Sequence, residues 1–294
     1  MRIYKTDLND KAYKQITVEN FETDTNRKKP WYQNDLDLNA SIQYAICPAC
    51  HHPIEIVGLY RPLKNTEKPY GRHSQNFVEG VGIYRPDQIK YCSLYRKRQK
   101  ITKSCRKKEE TEIEKMILEL LVNNFDQVAF HFEEYTGIRM TDNLAEAMLK
   151  EYAGGKGFMY RGANILNVPW IFAFMSNSQN LWGRAVTDEE LQKILLEKVK
   201  GATIEKNKQF KTAKYQDITF AFIHHNSRMQ DNDLIETFIF RIVDGKQKTI
   251  YQKKIQFDHE RFQDLITDST KIRPRKESFV NLAKKYLMPE DLCA

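Results

Sequence analysis

Cys47 and Cys50, separated by two residues in AICPACHHPIEIVGLY (residues 45–60), are the side chains of this sequence best placed to do chemistry. A turn of that length aims two thiolates at one centre, and a tetrahedral structural zinc site needs two more soft or borderline ligands. Cys92 and Cys105 complete such a set in the spacing C-x2-C-x41-C-x12-C. His73 is the substitute ligand, with His51 and His52 as local rivals. The same two cysteines could instead be buried thiols or a redox pair. A redox pair usually opens a helix, and Pro53 with the β-rich residues after it disfavours one here. The expectation is a structural Zn2+ on Cys47, Cys50, Cys92 and Cys105.

Catalytic readings are thinner. A catalytic zinc keeps an open position beside a carboxylate base; Glu55 is near in sequence, but nothing marks it as that base. His52, Asn65 and His73 stand in the order His-x12-Asn-x7-His, which resembles the signature of HNH-type nucleases, many of which carry CxxC knuckles around it. Over residues 52–73 the resemblance implies metal-dependent cleavage of nucleic acid. The knuckle adjoins the histidines, and Pro69 and Gly71 fall where that family has a helix, so the nuclease ranks third. GGKG at 154–157 lacks the preceding strand and the following Ser or Thr of a phosphate loop. His224-His225 reads as a surface or core pair. Asp217 and Glu236 lie on strand-like segments without the lysine that a nuclease core places shortly downstream. No nucleophile–base pair follows from spacing.

Charge is more informative. The chain has 47 Lys and Arg against 39 Asp and Glu, a net charge of +8. Residues 96–108, RKRQKITKSCRKK, hold eight cations and no acid, so outside them 39 basic residues balance 39 acidic ones. Arg96, Lys97, Arg98, Lys100, Lys103, Arg106, Lys107 and Lys108 could neutralise phosphates, while Tyr95 stacks on an unpaired base. Most of the run lies between Cys92 and Cys105, and a metal-clamped loop would hold its charges in place. The bland alternative is a solvated run leading into an acidic helix start. The expected function is a non-catalytic, zinc-stabilised protein that binds nucleic acid or a nucleic-acid-handling complex. A phage-type inhibitor that binds and blocks a host defence complex comes second; large interfaces and homo-oligomers would go with it.

Composition bounds the frame that must position these groups. With 41% hydrophobic and 12% aromatic residues the chain is globular, neither collagen-like nor disordered. MRIYKTDLNDKAYK has no apolar core for a secretory signal. Val168 to Met175, the longest apolar run, is far below the roughly 20 residues of a membrane span. Five cysteines, an odd number, do not make a secreted disulfide scaffold. A cytoplasmic protein is expected.

The pattern is α+β: a zinc-bearing β-rich module at 1–108, a helical region at 109–201, and a C-terminal α/β unit with an antiparallel hairpin at 202–294. Strands are expected at 54–60 and 78–84. Helices are expected at 110–125, 127–135 and 142–153, the last capped by Thr141 and stopped by Gly154. TDEELQKILLEKVKG reads as a helix with Thr187 as cap, Glu190 in a capping box and Gly201 as closure. Strands follow at 218–225, 235–243 and 249–257, with Asp244-Gly245 as a hairpin turn, and helices near 259–266 and 277–287. Trp170, Phe172 and Phe174 read as core.

Overall fold

Within AICPACHHPIEIV the cysteine turn is flanked by runs that alternate or concentrate apolar residues, and those runs become strands. The computed structural model describes residues 1–35, 40–61, 64, 68–95, 98–99, 101–268 and 274–288. Two compact units emerge: Met1–Lys100 with Asn164–Leu166 and Ser227–Ile235, and Ile101–Ala163 with Asn167–Asn226 and Glu236–Ala294. These follow packing, whereas the divisions at 108/109 and 201/202 follow composition.

In the first unit β1 (Ile3–Tyr4) pairs with β2 (Lys14–Gln15). Helix α1 (Val18–Thr25) begins at Thr17, whose side chain accepts from Asn20 N–H, and ends at Asn26 in the left-handed conformation. Its polar sequence, VENFETDT, hides it from periodicity; the caps define it. Strands β3 (Tyr32–Asp35), β4 (Ala40–Ile46), β5 (Pro53–Val57) and β6 (Tyr70–His73) form an antiparallel sheet in that order. Residues 47–52 are the β4–β5 connection, so the knuckle is the tip of a hairpin. Met1, Tyr4, Phe21 and Ile54 are buried in a core that also takes in Cys47, Cys50 and Cys92.

The strand expected at 78–84 is corrected. Val78 and Gly82 make one isolated bridge, and Val81 and Gly82 N–H both donate to Val78 O at 3.0 Å. Gly80, at φ +71, turns the chain there. Two glycines in VEGVGIY favour this tight turn over an extended run. A short helix, α2 (Pro86–Ile89), follows, and then β7 (Arg98–Gln99).

The second unit opens with α3 (Glu112–Asn123), α4 (Phe125–Thr136) and α5 (Asp142–Gly154). Thr111 starts α3 with a full capping box to Glu114. Thr141 caps α5 as expected. Gly137, at φ +69, ends α4, where a side chain would meet Asp188. Lys156 then turns the chain at φ +44. Helix α6 (Val168–Met175) is buried all round, so its apolar run is the middle of a core.

Next come β8 (Gln179–Asn180), α7 (Glu189–Lys198), β9 (Ala202–Ile204), β10 (Phe210–Thr212), β11 (Thr219–Gln230), β12 (Asp233–Val243), β13 (Thr249–Gln256), α8 (His259–Thr267) and α9 (Glu277–Leu287). The cap of α7 is Asp188, not Thr187: its carboxylate accepts from Leu191 N–H at 2.7 Å. A carboxylate at the positive helix end is the stronger cap of the two. The sheet runs β13-β12-β11, continued by β7, with β8 also on β11. Strand β11 outruns the expected 218–225 because Asp231 and Asn232, at φ +51 and +67, make the turn into β12. Such a pair of positive φ values suits a two-residue hairpin turn. Asp244-Gly245 turns β12 into β13, with Asp244 Oδ1 accepting from Lys246 and Lys248 N–H at 2.9 Å each. Among the described residues no helix is long and apolar enough to cross a membrane.

Candidate metal centre

The β4–β5 turn, the end of β6 and Cys92, three residues after α2, converge on one point. Cys47 N–H donates to His52 O at 2.8 Å and His51 N–H to Cys47 O at 2.9 Å, which folds CPAC back on itself. His51 sits in the left-handed region at φ +57 to close that turn. His73 is the last residue of β6, paired with Ile54 of β5. Cys92 N–H donates to Ile89 O at 3.0 Å, fixing its approach from α2.

The side chains meet: Cys47 Sγ lies 3.8 Å from Cys92 Sγ, and His73 Nε2 lies 3.4 Å from Cys50 Sγ and 3.7 Å from Cys92 Sγ. All four residues are buried, with their ligand atoms within 4.8 Å of one another, positioned to hold a metal ion. Burial opposes ionisation of Cys47, but hydrogen bonds from Cys50 and Cys92 and the nearby His73 outweigh it and hold this thiol well below its usual range. Burial, then the bonds and charge of Cys47, push Cys50 well above its own. Cys92 is pushed up likewise. A cation among the four would resolve that conflict by favouring thiolate on all three.

The fourth member of the buried cluster is therefore His73, the substitute, and Cys105 is outside it. Cys105 Sγ bonds Thr102 Oγ1 at 3.2 Å instead. Strand β6 explains the difference: YGRH has no β-branched run to announce a strand, yet its register delivers His73 to the turn. His52 has other work. Its Nδ1 is 3.1 Å from Cys50 O, and its Nε2 accepts from Arg85 N–H at 3.1 Å. Asn65 lies outside the described residues, as does Cys293. Glu55 pairs with Arg72 at 2.8 Å. Beside the centre a cleft of about 1030 Å³ opens, with His73, Tyr95, Arg72 and Asn76 among its lining.

Of the basic stretch, Arg96, Lys97 and Lys100 lie outside the described residues. Arg98 is in β7, whose backbone pairs with Ser227 and Arg228 of β11. Tyr95 is exposed and sets its ring edge-to-face on His73, centroids 5.3 Å apart. The expectation that the whole stretch faces an outside anion is corrected for three residues. Lys103 donates to Ser176 O and lies 5.5 Å from the centre of the Phe174 ring. Arg106 donates to Gly155 O at 3.0 and 2.8 Å and to Lys103 O at 2.6 Å. Lys107 pairs with Glu114 at 2.5 Å, the side chains 8% and 2% exposed, and donates to Ala163 O at 3.0 Å. Carbonyls left over at the ends of α5 (Gly155) and α6 (Ser176), and at Ala163, need donors, and these cations supply them. Lys108 is exposed.

A second polar cluster had no signal in residue spacing, because its members come from different elements. Glu236 is fully buried. Its Oε1 accepts from Asn167 Nδ2 at 3.0 Å and lies 3.3 Å from His225 Nε2, while Oε2 is 3.0 Å from His259 Nε2. Tyr160 Oη is 3.1 Å from His225 Nδ1. Burial opposes ionisation, but the bonds and charges of His225 and His259 hold Glu236 down to about 2. The arrangement stores one buried negative charge between two imidazoles.

In comparisons with protein-family models, with curated proteins and with solved structures, nothing matches this chain.

Proposed function

We propose that Cys47, Cys50, His73 and Cys92 hold one structural Zn2+, and that the protein is a non-catalytic binder of nucleic acid or of a nucleic-acid-handling complex. Zinc with sulfur at about 2.3 Å and nitrogen at about 2.0–2.1 Å makes a tetrahedron with edges of about 3.8 Å (S to S) and 3.6 Å (S to N). The corresponding separations here are 3.8, 3.4 and 3.7 Å. Four protein ligands fill a tetrahedron and leave no place for substrate, the pattern of a structural site. Three thiolates suit a reducing, cytoplasmic setting.

One observation supports the binding half: the ligand Cys92 stands three residues before Tyr95 and six before Arg98. The centre that fixes the fold would thus tether the start of the basic stretch, and β7 tethers it again, with Arg98 opposite the exposed Arg228. Charges on a tethered backbone lose little freedom when an anion arrives.

The test combines elemental analysis with binding. About one zinc per chain is expected. Arg96, Lys97, Arg98 and Lys100 are changed together to Glu, with thermal unfolding used to select a variant that keeps the fold. Nucleic-acid affinity should then collapse, and wild-type binding should weaken steeply with salt. If a protein complex is the partner, pull-down from nuclease-treated extract should lose it in the same variant. A folded variant that keeps all its partners refutes the reading.

A further inference from the structure

In the second unit a tight turn after β8 puts Trp182 and Tyr215 side by side on the surface, 39% and 66% exposed. Their ring centroids are 6.1 Å apart at 63°. Side by side, two large aromatic rings that folding leaves partly in water form a patch, and a patch is more informative than a lone exposed side chain.

They are fixed in place. Asn180 does most of this: its Oδ1 accepts from Trp182 N–H at 2.7 Å, and its Nδ2 donates to Tyr215 Oη at 2.8 Å. Gly183, at φ +76, closes the turn and donates its N–H to Phe210 O at 2.8 Å, while Leu181 N–H donates to Ile218 O at 2.8 Å. The loop is thereby bonded to β10 on one side and to the approach of β11 on the other.

Cations lie along the hairpin beside the pair, Lys211 against the Trp182 ring and Lys214 next to Tyr215 in sequence. Between positions 198 and 216 the chain carries Lys198, Lys200, Lys206, Lys208, Lys211 and Lys214 against Glu205 alone. Lys200, Lys206, Lys208 and Lys214 are exposed. Lys211 lies 5.9 Å from the Trp182 ring centre and pairs with Glu205 at 2.8 Å. Strands β9 and β10 carry the group, Lys211 opposite Thr203, with Ala213 N–H on Gly201 O at 2.9 Å. That register brings Lys200 and Lys214 to the open end of the ladder, next to Tyr215.

We propose that this aromatic pair, with Lys200, Lys211 and Lys214 beside it, is a stacking surface for single-stranded nucleic acid. Exposed rings offer π-faces to any base, and lysines track the backbone phosphates. The 63° tilt suits two unpaired bases that rotate independently. A duplex keeps its base faces stacked inside and would reach only the lysines. An apolar protein partner would gain from the rings but not from the surrounding positive charge. The site shares no residue with 95–108 and does not rest on their role.

The test measures anisotropy of labelled oligo(dT), oligo(U) and a duplex of equal length on the full chain at low salt. Single strands should bind more tightly than duplex. Preference for oligo(U) would identify RNA, and for oligo(dT) DNA. Trp182→Ala with Tyr215→Ala should lower single-strand affinity by roughly 5- to 150-fold per base unstacked and leave duplex affinity unchanged. Trp182→Phe with Tyr215→Phe should retain most of it, which excludes damage to the fold. Lys206, Lys208 and Lys214 changed together to Glu should flatten the salt dependence for both forms. Equal binding of single strand and duplex, no binding of any oligonucleotide, or full affinity in the double alanine variant would each overturn the proposal. Loss confined to the 96–100 charge reversal would do so too, while leaving the role of that stretch standing.

Discussion

Replacing Glu236 by Gln removes a charge that the second unit has enclosed between His225, His259 and Asn167, and the cost can be worked out from its titration. The carboxyl falls from 4.5 to about 2 on folding, so ionisation favours the folded state by about 2.5 pKa units, roughly 3 kcal/mol at about 1.4 kcal/mol per unit. The sign is that of a depressed acid. Its stabilisation is fully present above pH 4.5 and is lost as pH falls toward 2. An amide is close in shape to the protonated acid, so Glu236→Gln should lose about 3 kcal/mol at pH 6 and converge on wild type near pH 2. Trp170 reports the unit: it is 1% exposed and stacks on Phe257 at 4.8 Å, beside His259. Urea unfolding followed by its fluorescence at several pH values, with Trp31 and Trp182 replaced by Phe, gives the difference directly. Comparing variant with wild type at each pH cancels acid effects common to both, including proton competition at the cysteine centre. A difference that does not change between pH 6 and 3, or a Gln variant as stable as wild type at pH 6, refutes the reasoning.

Metal content should fall in Cys47→Ser, Cys50→Ser, Cys92→Ser and His73→Ala but stay at wild-type level in Cys105→Ser, as read by elemental analysis of purified protein; retention in His73→Ala would displace it from the set. Chelation should destabilise the first unit without shifting the Trp170 signal at low denaturant, because structural zinc carries folding energy only where it binds. Lys107→Met leaves Glu114 buried without its cation and should cost about 3–5 kcal/mol in thermal or urea unfolding. A loss under 1 kcal/mol would mean that Thr111 and water suffice for Glu114.

Elements with strong local chemistry were legible, and those defined by pairing were not. Helix α5 was bounded by Thr141, which accepts from Leu144 N–H, and α8 and α9 fall within a residue of the expected spans. The Asp244-Gly245 turn declared itself by composition. Strand β6 did not: Tyr-Gly-Arg-His pairs because β5 presents a partner edge, and no property of those four residues says so. The same gap explains the ligands. Cys47 and Cys50 are neighbours in sequence and declare themselves together, but the choice between Cys105 and His73 depends on a register that only the folded sheet supplies. Glu236 is the extreme case, with partners 69 residues before it (Asn167), 11 before (His225) and 23 after (His259).

Net charge is a poor guide to where charge acts in this chain. Subtracting residues 96–108 leaves a chain of zero net charge, which suggests that the rest has no electrostatic character. A partner, however, feels charges only within about 8–10 Å at ordinary salt, so placement decides and the sum does not. Lys103, Arg106 and Lys107 belong to the conspicuous stretch, yet their donors go to Ser176, Gly155, Ala163 and Glu114. A cation spent on internal carbonyls holds the fold and has less to offer a phosphate. The lysines from 198 to 214 vanish into the balanced remainder, yet most of them are exposed, with Glu205 the one acid among them. Among the described side chains of the two basic regions, those from 198 to 214 thus keep more of their charge in water, beside the rings that would give them selectivity for unpaired bases.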